Sequence, residues 1–566
     1  MSGMDSVFFL ILRRMRTPLL LLVSSYSIAI GGLVLMPGMD NEGRPWQFDF
    51  MHAFYFISYT ASTIGFGEIP YPFSAAQRLW TTFSIYLTVL AWLYAFGNIL
   101  ALIQDPQFQR VLAQRRVQRG VKRQMGPFFI VCGFGETGAM AVSLLGSRGL
   151  GATVIDHDPA AITALELEPE LGHVPGLLGD ARDPSRLALA GLHHPLCKGV
   201  IAVTGSDDAN VEVTLAAMLL NPGLKLVCQA RIESSRGKLP SAHKAMIIDP
   251  YLSFATALAL AVHQPATYRL YGILGNLPGM EAPPVVVPPR GHWILCGHGR
   301  FGRALETPLR GEGNSLAVID TNPAVLENGG VVGVATDGEV LEAAGVRRAS
   351  GIIAGTDSDM TNLGILINAR AANPQVFTVL RQNEDINHPL VAAAKPDLLM
   401  EKSRIVIRQL AIDLTTPLLR QFLLYAIEES AEWATTLAES LLDLSGGRAP
   451  EIFASAITEV DAPGVFQQLQ QGGSCRLGTL YAPPPERGDP LHCIPLLILK
   501  GEVPDLLPGP DTPLEIGDRV LFAAAPGAPA RLDARLFDAD LIHYLETGEQ
   551  ISHHPFLRLR LNRTTG

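Results

Sequence analysis

The chain has 566 residues, of which 48% are hydrophobic and 17% are charged, and its net charge at pH 7 is −10. Because domains average about 150 residues, this length predicts three or four domains rather than one. A nucleic-acid partner needs a basic surface over a whole domain, so the acidic balance argues against nucleic-acid binding. The composition is apolar for a wholly soluble protein and predicts a membrane part joined to a water-exposed part.

Two uncharged apolar segments near the start of the sequence are long enough to cross a bilayer. They cover residues 17–37 and about 79–103, and roughly 20 helical residues cross a hydrocarbon core about 30 Å thick. A signal peptide is the alternative for the first segment, but a second apolar segment follows it. Basic residues flank the pair at 13–16 and 110–123. Because cytoplasmic flanks hold the excess of Lys and Arg, both termini are predicted to be cytoplasmic.

A short apolar stretch and the hexapeptide TIGFGE, residues 63–68, lie between the two segments. The stretch is too short to span and predicts a re-entrant helix. Irregular backbone at membrane depth is tolerated where it lines a water-filled path. Glycine adopts positive φ at little steric cost, so Gly65 and Gly67 let successive carbonyls face one axis, where they would replace the hydration shell of a cation. A glycine-rich turn in an ordinary two-helix membrane anchor is the alternative.

This order of span, short helix, Thr-Ile-Gly-Phe-Gly and span resembles the pore module of potassium channels. The filter residues that the resemblance implies are Thr63, Ile64, Gly65, Phe66 and Gly67. The carbonyls of the first four, with the Thr63 hydroxyl, would hold dehydrated K⁺. Phe66 stands where the family usually has Tyr, which removes a hydroxyl that could brace the filter. Two spans cannot enclose a pore, so the resemblance implies a homotetramer in a lipid bilayer.

Two copies of one α/β unit follow the membrane part. Each copy has an apolar strand, a Gly-x-Gly-x-x-Gly turn that opens a helix, and a second strand that ends in an acid. Such turns place a dinucleotide's phosphates on the helix N-terminus. The predicted nucleotide-binding residues are Gly133, Gly135, Glu136, Gly138, Asp156 and Asp180 in the first copy and Gly297, Gly299, Arg300, Gly302 and Asp320 in the second. An acid that accepts from ribose hydroxyls favours NAD or an adenosine nucleotide such as ADP over NADP.

Some roles within the two copies stay open. Arg300 either pairs with phosphate or lies on the surface. Asp337 is expected at the end of a third strand, as Asp180 is in the first copy. The duplication continues into a polar turn, where Asp208 is paired with Asp359. The acids of these turns either bind Ca²⁺ or, as the favoured interpretation, cap the following helices; they are Asp207, Asp208, Asp357 and Asp359.

The two units resemble RCK domains, the ligand-sensing Rossmann modules of prokaryotic potassium channels and transporters. The layout is closest to bacterial channels that carry two RCK domains per subunit and respond to nucleotides and calcium. The resemblance implies a K⁺ channel of the bacterial inner membrane, gated through a ring of eight RCK domains by NAD or ADP and by Ca²⁺ at unidentified ligands.

Two other functions compete with a channel. One is a membrane-anchored, nucleotide-sensing regulatory subunit of a separate potassium transporter. The other is a membrane-bound NAD-dependent oxidoreductase, but no acid–base pair is fixed by spacing and no catalytic domain is evident. The chain is therefore not predicted to be an enzyme.

The predicted fold is a helical membrane pore module, with two spans and a re-entrant pore helix, followed by two Rossmann-like α/β domains and a small C-terminal α+β lobe. The predicted boundaries are 1–106 for the pore module, 107–126 for a basic linker, 127–282 for the first RCK domain, 283–291 for a Pro-rich linker, 292–445 for the second RCK domain, 446–530 for the small lobe and 531–566 for a tail.

Overall fold

A computed structural model describes residues 3–232, 245–276, 278–324, 329–482 and 491–547. The end of the predicted tail, residues 548–566, lies outside the described residues. The chain divides into two compact units, Met1–Arg123 and Gln124–Gly566.

The first unit consists of helices and one small hairpin. Its elements are α1 (Gly3–Leu35), β1 (Gly38–Met39), β2 (Pro45–Trp46), α2 (Phe50–Ala61), α3 (Ala75–Gln104) and α4 (Pro106–Lys122). Two of these helices are long and apolar enough to cross a membrane, over Met15–Leu35 and Ala75–Gln104. They overlap the two segments predicted from the sequence, and α2 is the short apolar helix predicted between them. Most of the predicted basic linker lies in α4.

Helices α1 and α3 pack closely because a glycine faces a tryptophan. The Trp80 Nε1 donates to the Ala29 carbonyl over 3.0 Å. A Cβ at Gly32 would lie 2.0 Å from atoms of the Trp80 ring, so a larger residue there would separate the helices. Farther along, Trp92 Nε1 donates to the Tyr26 hydroxyl over 3.0 Å. At the start of α3, Ser74 and Gln77 form a reciprocal capping box.

The first α/β copy is a six-stranded parallel sheet with helices around it. Its strands are β3 (Phe128–Cys132), β4 (Gly151–Asp156), β5 (Gly176–Leu178), β6 (Cys197–Ala202), β7 (Lys225–Gln229) and β8 (Met246–Ile248), and its helices are α5 (Glu136–Ser147), α6 (Pro159–Leu167), α7 (Pro184–Leu189), α8 (Asp207–Leu220), α9 (Pro250–His263) and α10 (Pro265–Leu274). The strand order is β5-β4-β3-β6-β7-β8. Strand order reverses between β3 and β6, and ligands bind at such a switch point, outside the carboxyl ends of the strands.

The second copy repeats this topology. Its elements are β9 (His292–Cys296), α11 (Arg300–Gly311), β10 (Ser315–Asp320), β11 (Val331–Val332), α12 (Gly338–Ala343), β12 (Gly351–Ala354), α13 (Asp359–Ala372), β13 (Phe377–Gln382), α14 (His388–Ala394), β14 (Leu398–Glu401), α15 (Lys402–Thr415) and α16 (Pro417–Ala426). The strand order is β11-β10-β9-β12-β13-β14, again all parallel. The predicted duplication of a Rossmann-like unit is confirmed.

A smaller α+β lobe follows the second copy, as predicted. Its elements are α17 (Ala431–Leu444), β15 (Glu451–Ala456), α18 (Pro463–Gln470), β16 (Cys493–Lys500), β17 (Val503–Leu506), β18 (Arg519–Ala524), α19 (Ala528–Leu536) and α20 (Ala539–Thr547). Its antiparallel sheet has the order β15-β18-β16-β17. Buried Leu497 and Leu521 of this sheet pack with Phe422 of α16 and Leu437 of α17 in one core cluster.

The two copies are joined by an exchange of helices. Helix α15 of the second copy packs on α5 of the first, where Val406 and Leu410 share a core cluster with Leu145. In the reciprocal contact, α9 of the first copy packs on α11 of the second, with Phe254 beside Phe301. Each glycine turn is therefore faced by the first residues of a helix that belongs to the other copy.

The polar turns before α8 and α13 correct two expectations. Each helix is capped by a serine, because the side chains of Ser206 and Ser358 accept the cap hydrogen bond, so the favoured capping by the turn acids is wrong. Asp207 and Asp359 each follow the capping serine directly. The structure thus pairs Asp207, and not Asp208, with Asp359; the doubled aspartate of the first copy shifted the comparison by one residue.

A buried asparagine ties each of these turns to the next strand. In the second copy the Asn362 carbonyl oxygen accepts from the Thr356 backbone N–H over 2.9 Å, and its amide donates to the Arg381 carbonyl over 2.8 Å. Asn210 makes the equivalent bonds to Thr204 and Gln229. The Asn362 side chain is fully buried, so each lost partner would be left unsatisfied.

We expect Asn362→Ala to lower the free energy of unfolding of the α/β unit by about 2–3 kcal/mol, because it strands several buried backbone groups. Asn368→Ala on the same helix is the control: that exposed side chain makes one bond, to the Thr336 carbonyl, and its loss should cost under about 0.5 kcal/mol. Urea titration of the purified chain, followed by circular dichroism, measures both. Equal losses in the two variants would contradict the assigned role of Asn362.

Candidate pore loop and nucleotide site

The loop after α2 alternates in backbone hand. Thr63, Gly65 and Gly67 have positive φ values of 60°, 67° and 91°, whereas Ile64 and Phe66 between them do not. Positive φ is disfavoured for a threonine and costs of the order of 1–3 kcal/mol, so the surrounding structure must hold it in place. This alternation is the conformation that the glycines were expected to permit, with successive carbonyls turned the same way.

A tyrosine of α2 braces this loop from behind. The Tyr59 hydroxyl donates to the Gly67 carbonyl over 2.7 Å, and its buried ring meets the Phe66 ring edge-on at 5.3 Å between centroids. The Ile64 N–H in turn donates to the Tyr59 carbonyl over 2.9 Å. Tyr59 is not among the residues predicted from the sequence, although a hydroxyl-bearing aromatic shortly before Thr63 was a visible signal. Tyr59 thus gives the loop a hydroxyl hydrogen bond, whereas Phe66 has no hydroxyl.

The end of the loop is fixed to α3 by an ion pair. Glu68 accepts from Arg78 Nε over 2.8 Å and from Arg78 Nη2 over 3.0 Å, and its second oxygen also accepts from the Phe73 N–H. The Arg78 guanidinium holds the pKa of the Glu68 carboxyl below its usual range. The pair is exposed, so salt screens it and its geometric role exceeds its contribution to stability.

The three glycines of the first copy meet different surroundings. Gly133 has φ 99°, and a Cβ there would lie 2.8 Å from the Thr204 backbone. A Cβ at Gly138 would lie 2.0 Å from the Gly133 carbonyl oxygen. A Cβ at Gly135 would meet no atom within 4 Å. The protein itself fills the space beside the first and third glycines, while the second faces open space where a phosphate could approach.

A cavity of about 560 Å³ opens at this point, a size typical of small-molecule sites. Five predicted residues line it: Gly133, Gly135, Glu136, Asp156 and Asp180. Gly138 is not among the lining residues and packs behind the turn. The far wall comes from the second copy, with Asn383, Glu401, Lys402 and Ser403. The sequence alone does not reveal this wall, because its position depends on the helix exchange.

The acids that end the second strands hold their own glycine turns. Asp156 accepts from the Phe134 N–H over 2.6 Å and from the Asp158 N–H over 2.8 Å. Asp320 does the same with the His298 N–H, at 2.5 Å. Either carboxylate keeps acceptor positions for a ribose hydroxyl, so both roles are compatible.

The third-strand acids differ between the copies. Asp180 is held by Arg182, with Oδ2 2.6 Å from the guanidinium, which lowers the pKa of the Asp180 carboxyl. The Gly179 N–H donates to the Asp156 carbonyl, and in the second copy the Gly333 N–H donates to the Asp320 carbonyl. Gly179 and Gly333 therefore occupy equivalent positions in the two copies. Val334 therefore stands at the place of Asp180. Asp337 instead caps α12, so its expected place at a strand end is wrong.

In the second copy, bulky side chains occupy the region in front of the glycine turn. Phe301 is the second residue of α11 and is fully buried. Thr137 holds the same position in α5. The Phe301 ring centroid lies 6.0 Å from that of Tyr251. The Arg381 guanidinium lies 5.2 Å from the Tyr251 ring and 5.7 Å from the Phe301 ring, and it bonds to Asp357 over 2.8 Å.

The remaining predicted residues of the second copy keep the glycine pattern. Gly297 has φ 95°, a Cβ at Gly302 would lie 2.1 Å from the Gly297 carbonyl oxygen, and a Cβ at Gly299 would meet nothing within 4 Å. Arg300 lies 5.9 Å from the Tyr251 ring centroid, so it stacks on an aromatic of the other copy. The glycine turn of the first copy is thus repeated, with an arginine stacked on an aromatic ring at its helix.

Two carboxyls at the first-copy cavity have raised pKa values. Burial raises the pKa of Glu136, and the nearby Asp385 and Glu401 add to the effect. Burial likewise raises the pKa of Glu401. Glu401, Asp385 and His388 offer ligand atoms within 4.8 Å of one another, and they are the one such group in the part of the chain that the structure describes. Arg404 already pairs with Glu401 over 2.7 Å.

The acids proposed for calcium are engaged otherwise or stand apart from that group. Asp207 pairs with Arg231 over 2.7 Å, and Asp359 accepts from the Asn383 N–H over 2.7 Å. Asp357 bonds to Arg381. Asp207, Asp357 and Asp359 therefore serve the protein's own loops.

Comparison with known proteins places both parts of the chain. A model of ion channel domains matches residues 19–105, and a model of TrkA-N domains matches residues 129–250 and 293–400. Potassium channel protein 1 of Methanocaldococcus jannaschii is 28% identical over 41% of this chain and 68% of its own length. The voltage-gated potassium channel Kch of Escherichia coli is 28% identical over 42% of this chain and 54% of its own length. The chain belongs to the RCK-domain potassium channels.

Other similar proteins match one or both parts of this RCK channel. A Trk system potassium uptake protein TrkA homolog of Pyrococcus abyssi is 35% identical over 16% of this chain and 42% of its own length. Among solved structures, the GsuK channel covers 94% of this chain and 99% of its own at 17% identity and a TM-score of 0.46. The relatives named here are channels and a transport protein rather than enzymes, which confirms the expectation that the chain is not an enzyme.

Two alanine variants separate the glycine roles in the RCK channel. Gly138→Ala should destabilise the first copy, since its Cβ would overlap the Gly133 carbonyl oxygen and the turn would have to shift. Gly135→Ala should leave stability unchanged within about 0.5 kcal/mol, because φ is negative there and the space is open. Urea titration compares them, and a Gly138→Ala protein as stable as the parent would refute the packing role.

Proposed function

We propose that this RCK channel conducts K⁺ selectively and that a nucleotide bound at the first glycine turn regulates conduction. The observation that carries the proposal is the pore loop: Thr63, Gly65 and Gly67 alternate in backbone hand, and Tyr59 holds the loop by its hydroxyl. Backbone carbonyls turned the same way can replace the water around a dehydrated cation. The carbonyls of Thr63, Ile64, Gly65 and Phe66 coordinate K⁺ in this proposal.

The pore requires four chains. In the single chain the loop side chains are open to solvent, with Ile64 61% and Phe66 60% exposed. Two spans cannot enclose an aqueous path, and a fourfold ring closes around one axis. We therefore propose a homotetramer in the bacterial inner membrane. Both termini face the cytoplasm, in keeping with the basic flanks at 13–16 and 110–123.

The regulatory ligand in this proposal is NAD or ADP, and each chain binds one. The first copy combines an open Gly135, a cavity of about 560 Å³ and Asp156 at its edge. In the second copy the residues that match Ser403 and Thr137 are Tyr251 and Phe301, which pack on one another, with Arg381 stacked on both rings. Because the cavity is walled by both copies, a ligand that fits one arrangement of the copies better than another shifts the equilibrium between them.

Calcium is not part of this proposal. The group that could hold a cation, Asp385, His388 and Glu401, contains an imidazole, whereas Ca²⁺ prefers a shell of oxygens. Arg404 also competes for Glu401.

The alternative function is an anchored regulator of a separate transporter. The likeness to a TrkA homolog favours it, but it leaves the ion channel domain without a role.

Conduction is tested by Gly65→Ala, with Gly43→Ala as its matched control. Both glycines have positive φ, 67° and 81°, and open space at the Cβ, but Gly43 lies outside the pore loop. Gly65→Ala should reduce K⁺ flux into liposomes at least tenfold, because alanine disfavours the left-handed carbonyl geometry. Gly43→Ala should conduct normally. K⁺-over-Na⁺ flux that survives Gly65→Ala would show that this loop is not the filter, and a parent chain without K⁺ flux would support the anchor interpretation instead.

Nucleotide binding is tested by Asp156→Ala and Asp320→Ala. Each variant removes the carboxylate that holds a glycine turn, so the two are structurally matched. Asp156→Ala should weaken NAD or ADP binding roughly tenfold, the effect of losing about one hydrogen bond to a charged group. Asp320→Ala should leave it unchanged. Calorimetry on the purified channel measures both, and a similar loss in each would contradict one site per chain.

Glu136 should make binding depend on pH. Its pKa is raised, so as pH falls through that value the carboxyl becomes neutral, repulsion of the phosphates ends and binding tightens. NAD suits this test because its diphosphate stays ionised from pH 5 to 8. Glu136→Gln should bind NAD roughly 3–10-fold more tightly at pH 8 and show a shallower pH dependence. Parallel pH profiles for Gln and parent would refute this role.

A further inference from the structure

Lys402 is a half-buried cation without a partner at the edge of the first-copy cavity. It is the first residue of α15 and lines the cavity. Across the described ranges it forms no hydrogen bond or ion pair. Burial lowers its pKa, the field of Asp207 and Glu136 opposes that effect, and the field of Arg300 and Arg381 adds to it. A half-buried ammonium without a partner is unfavourable, and an anionic ligand would reduce that cost.

The helix exchange places this ammonium beside the glycine turn. Ser403, the next residue of α15, is buried with its hydroxyl 2.9 Å from the hydroxyl of Thr137. Thr137 is the second residue of α5, whose N-terminus faces the cavity. Phosphate is attracted to that N-terminus by free N–H groups and the helix dipole. Lys402 thus lies where a diphosphate would be received.

The charges around the cavity make such a cation necessary. Glu136, Glu401 and Glu384 line it and would repel a diphosphate. The other lysine or arginine of the lining is Arg182, which is bound to Asp180. Lys402 is the cation of the described lining that is free to bind phosphate oxygens.

The second copy provides an internal comparison. There the matching helix is α9, which begins with Pro250 and Tyr251 in place of Lys402 and Ser403. Tyr251 packs on Phe301, as Ser403 packs on Thr137. The second turn therefore has a tyrosine where the first has Ser403, and its cations, Arg300 and Arg381, stack on that tyrosine. The difference lies in side chains on an otherwise repeated backbone.

We propose that Lys402 binds the diphosphate of the nucleotide, so that each ligand is held by both RCK copies at once. This inference rests on the proposed nucleotide site and assigns it a phosphate-selecting residue. It implies that affinity follows phosphate content: ADP binds more tightly than AMP, and AMP more tightly than adenosine. Because the ammonium comes from the second copy, the phosphates link the two copies.

The experiment measures ADP, AMP and adenosine binding to the purified full-length channel by calorimetry. Lys402→Gln should weaken ADP roughly tenfold or more, the effect of losing a charge-assisted hydrogen bond, and leave adenosine unchanged. Lys402→Arg should retain most of the ADP affinity. Lys225→Gln, a change at an exposed lysine of the first copy, is the control and should bind like the parent.

Each outcome decides the proposal. Equal weakening of ADP and adenosine in Lys402→Gln would show a structural role and overturn it, as would no weakening of either. Loss of ADP binding in Lys402→Arg as well as Lys402→Gln would likewise overturn the role of positive charge. If the parent channel binds none of the three probes, the proposed nucleotide site itself fails. If the parent binds ADP and adenosine but Lys402→Gln does not weaken ADP selectively, only the role of Lys402 fails.

Discussion

The exchange of helices between the two α/β copies determines most of what the water-exposed unit can do. Val406, Leu410 and their neighbours on α15 are buried against α5, and Phe254 and Leu258 on α9 are buried in the core of the second copy. Full burial of one such side chain contributes about 1.5–3 kcal/mol, so each interface outweighs any single hydrogen bond at the cavity. The copies are thus held together by apolar packing, and polar groups at the joint are left to recognise a ligand.

The same exchange explains why two similar turns have different surroundings. The backbone geometry of Gly133 and Gly297 is nearly the same, with φ values of 99° and 95°. What differs is the pair of residues at the start of the partner helix. The pair is Lys402 and Ser403 at the first turn, and Pro250 and Tyr251 at the second. In the second copy the result is an aromatic cluster with Arg381 stacked on it, an arrangement that cation–π attraction stabilises.

The sequence alone predicted the features that depend on local backbone chemistry. Glycines at fixed spacing, an acid at a strand end and an apolar segment of membrane-spanning length each have a local physical cause, and the predicted fold follows from them. It could not predict that Tyr251, Phe301 and Arg381 meet, because they are far apart in the chain and come together through the helix exchange. The caps at Ser206 and Ser358 were missed for a different reason: the acids beside them are equally good cap residues in isolation.

The bond from Tyr59 to Gly67 lies wholly within one chain. A filter braced between neighbouring subunits would lose its stiffness all round when one subunit is altered. In the proposed ring each chain braces its own part of the filter. Assemblies that mix intact and altered chains would therefore lose filter stiffness stepwise, with each altered chain. The rigidity of the filter would then increase with the number of unaltered chains in the assembly.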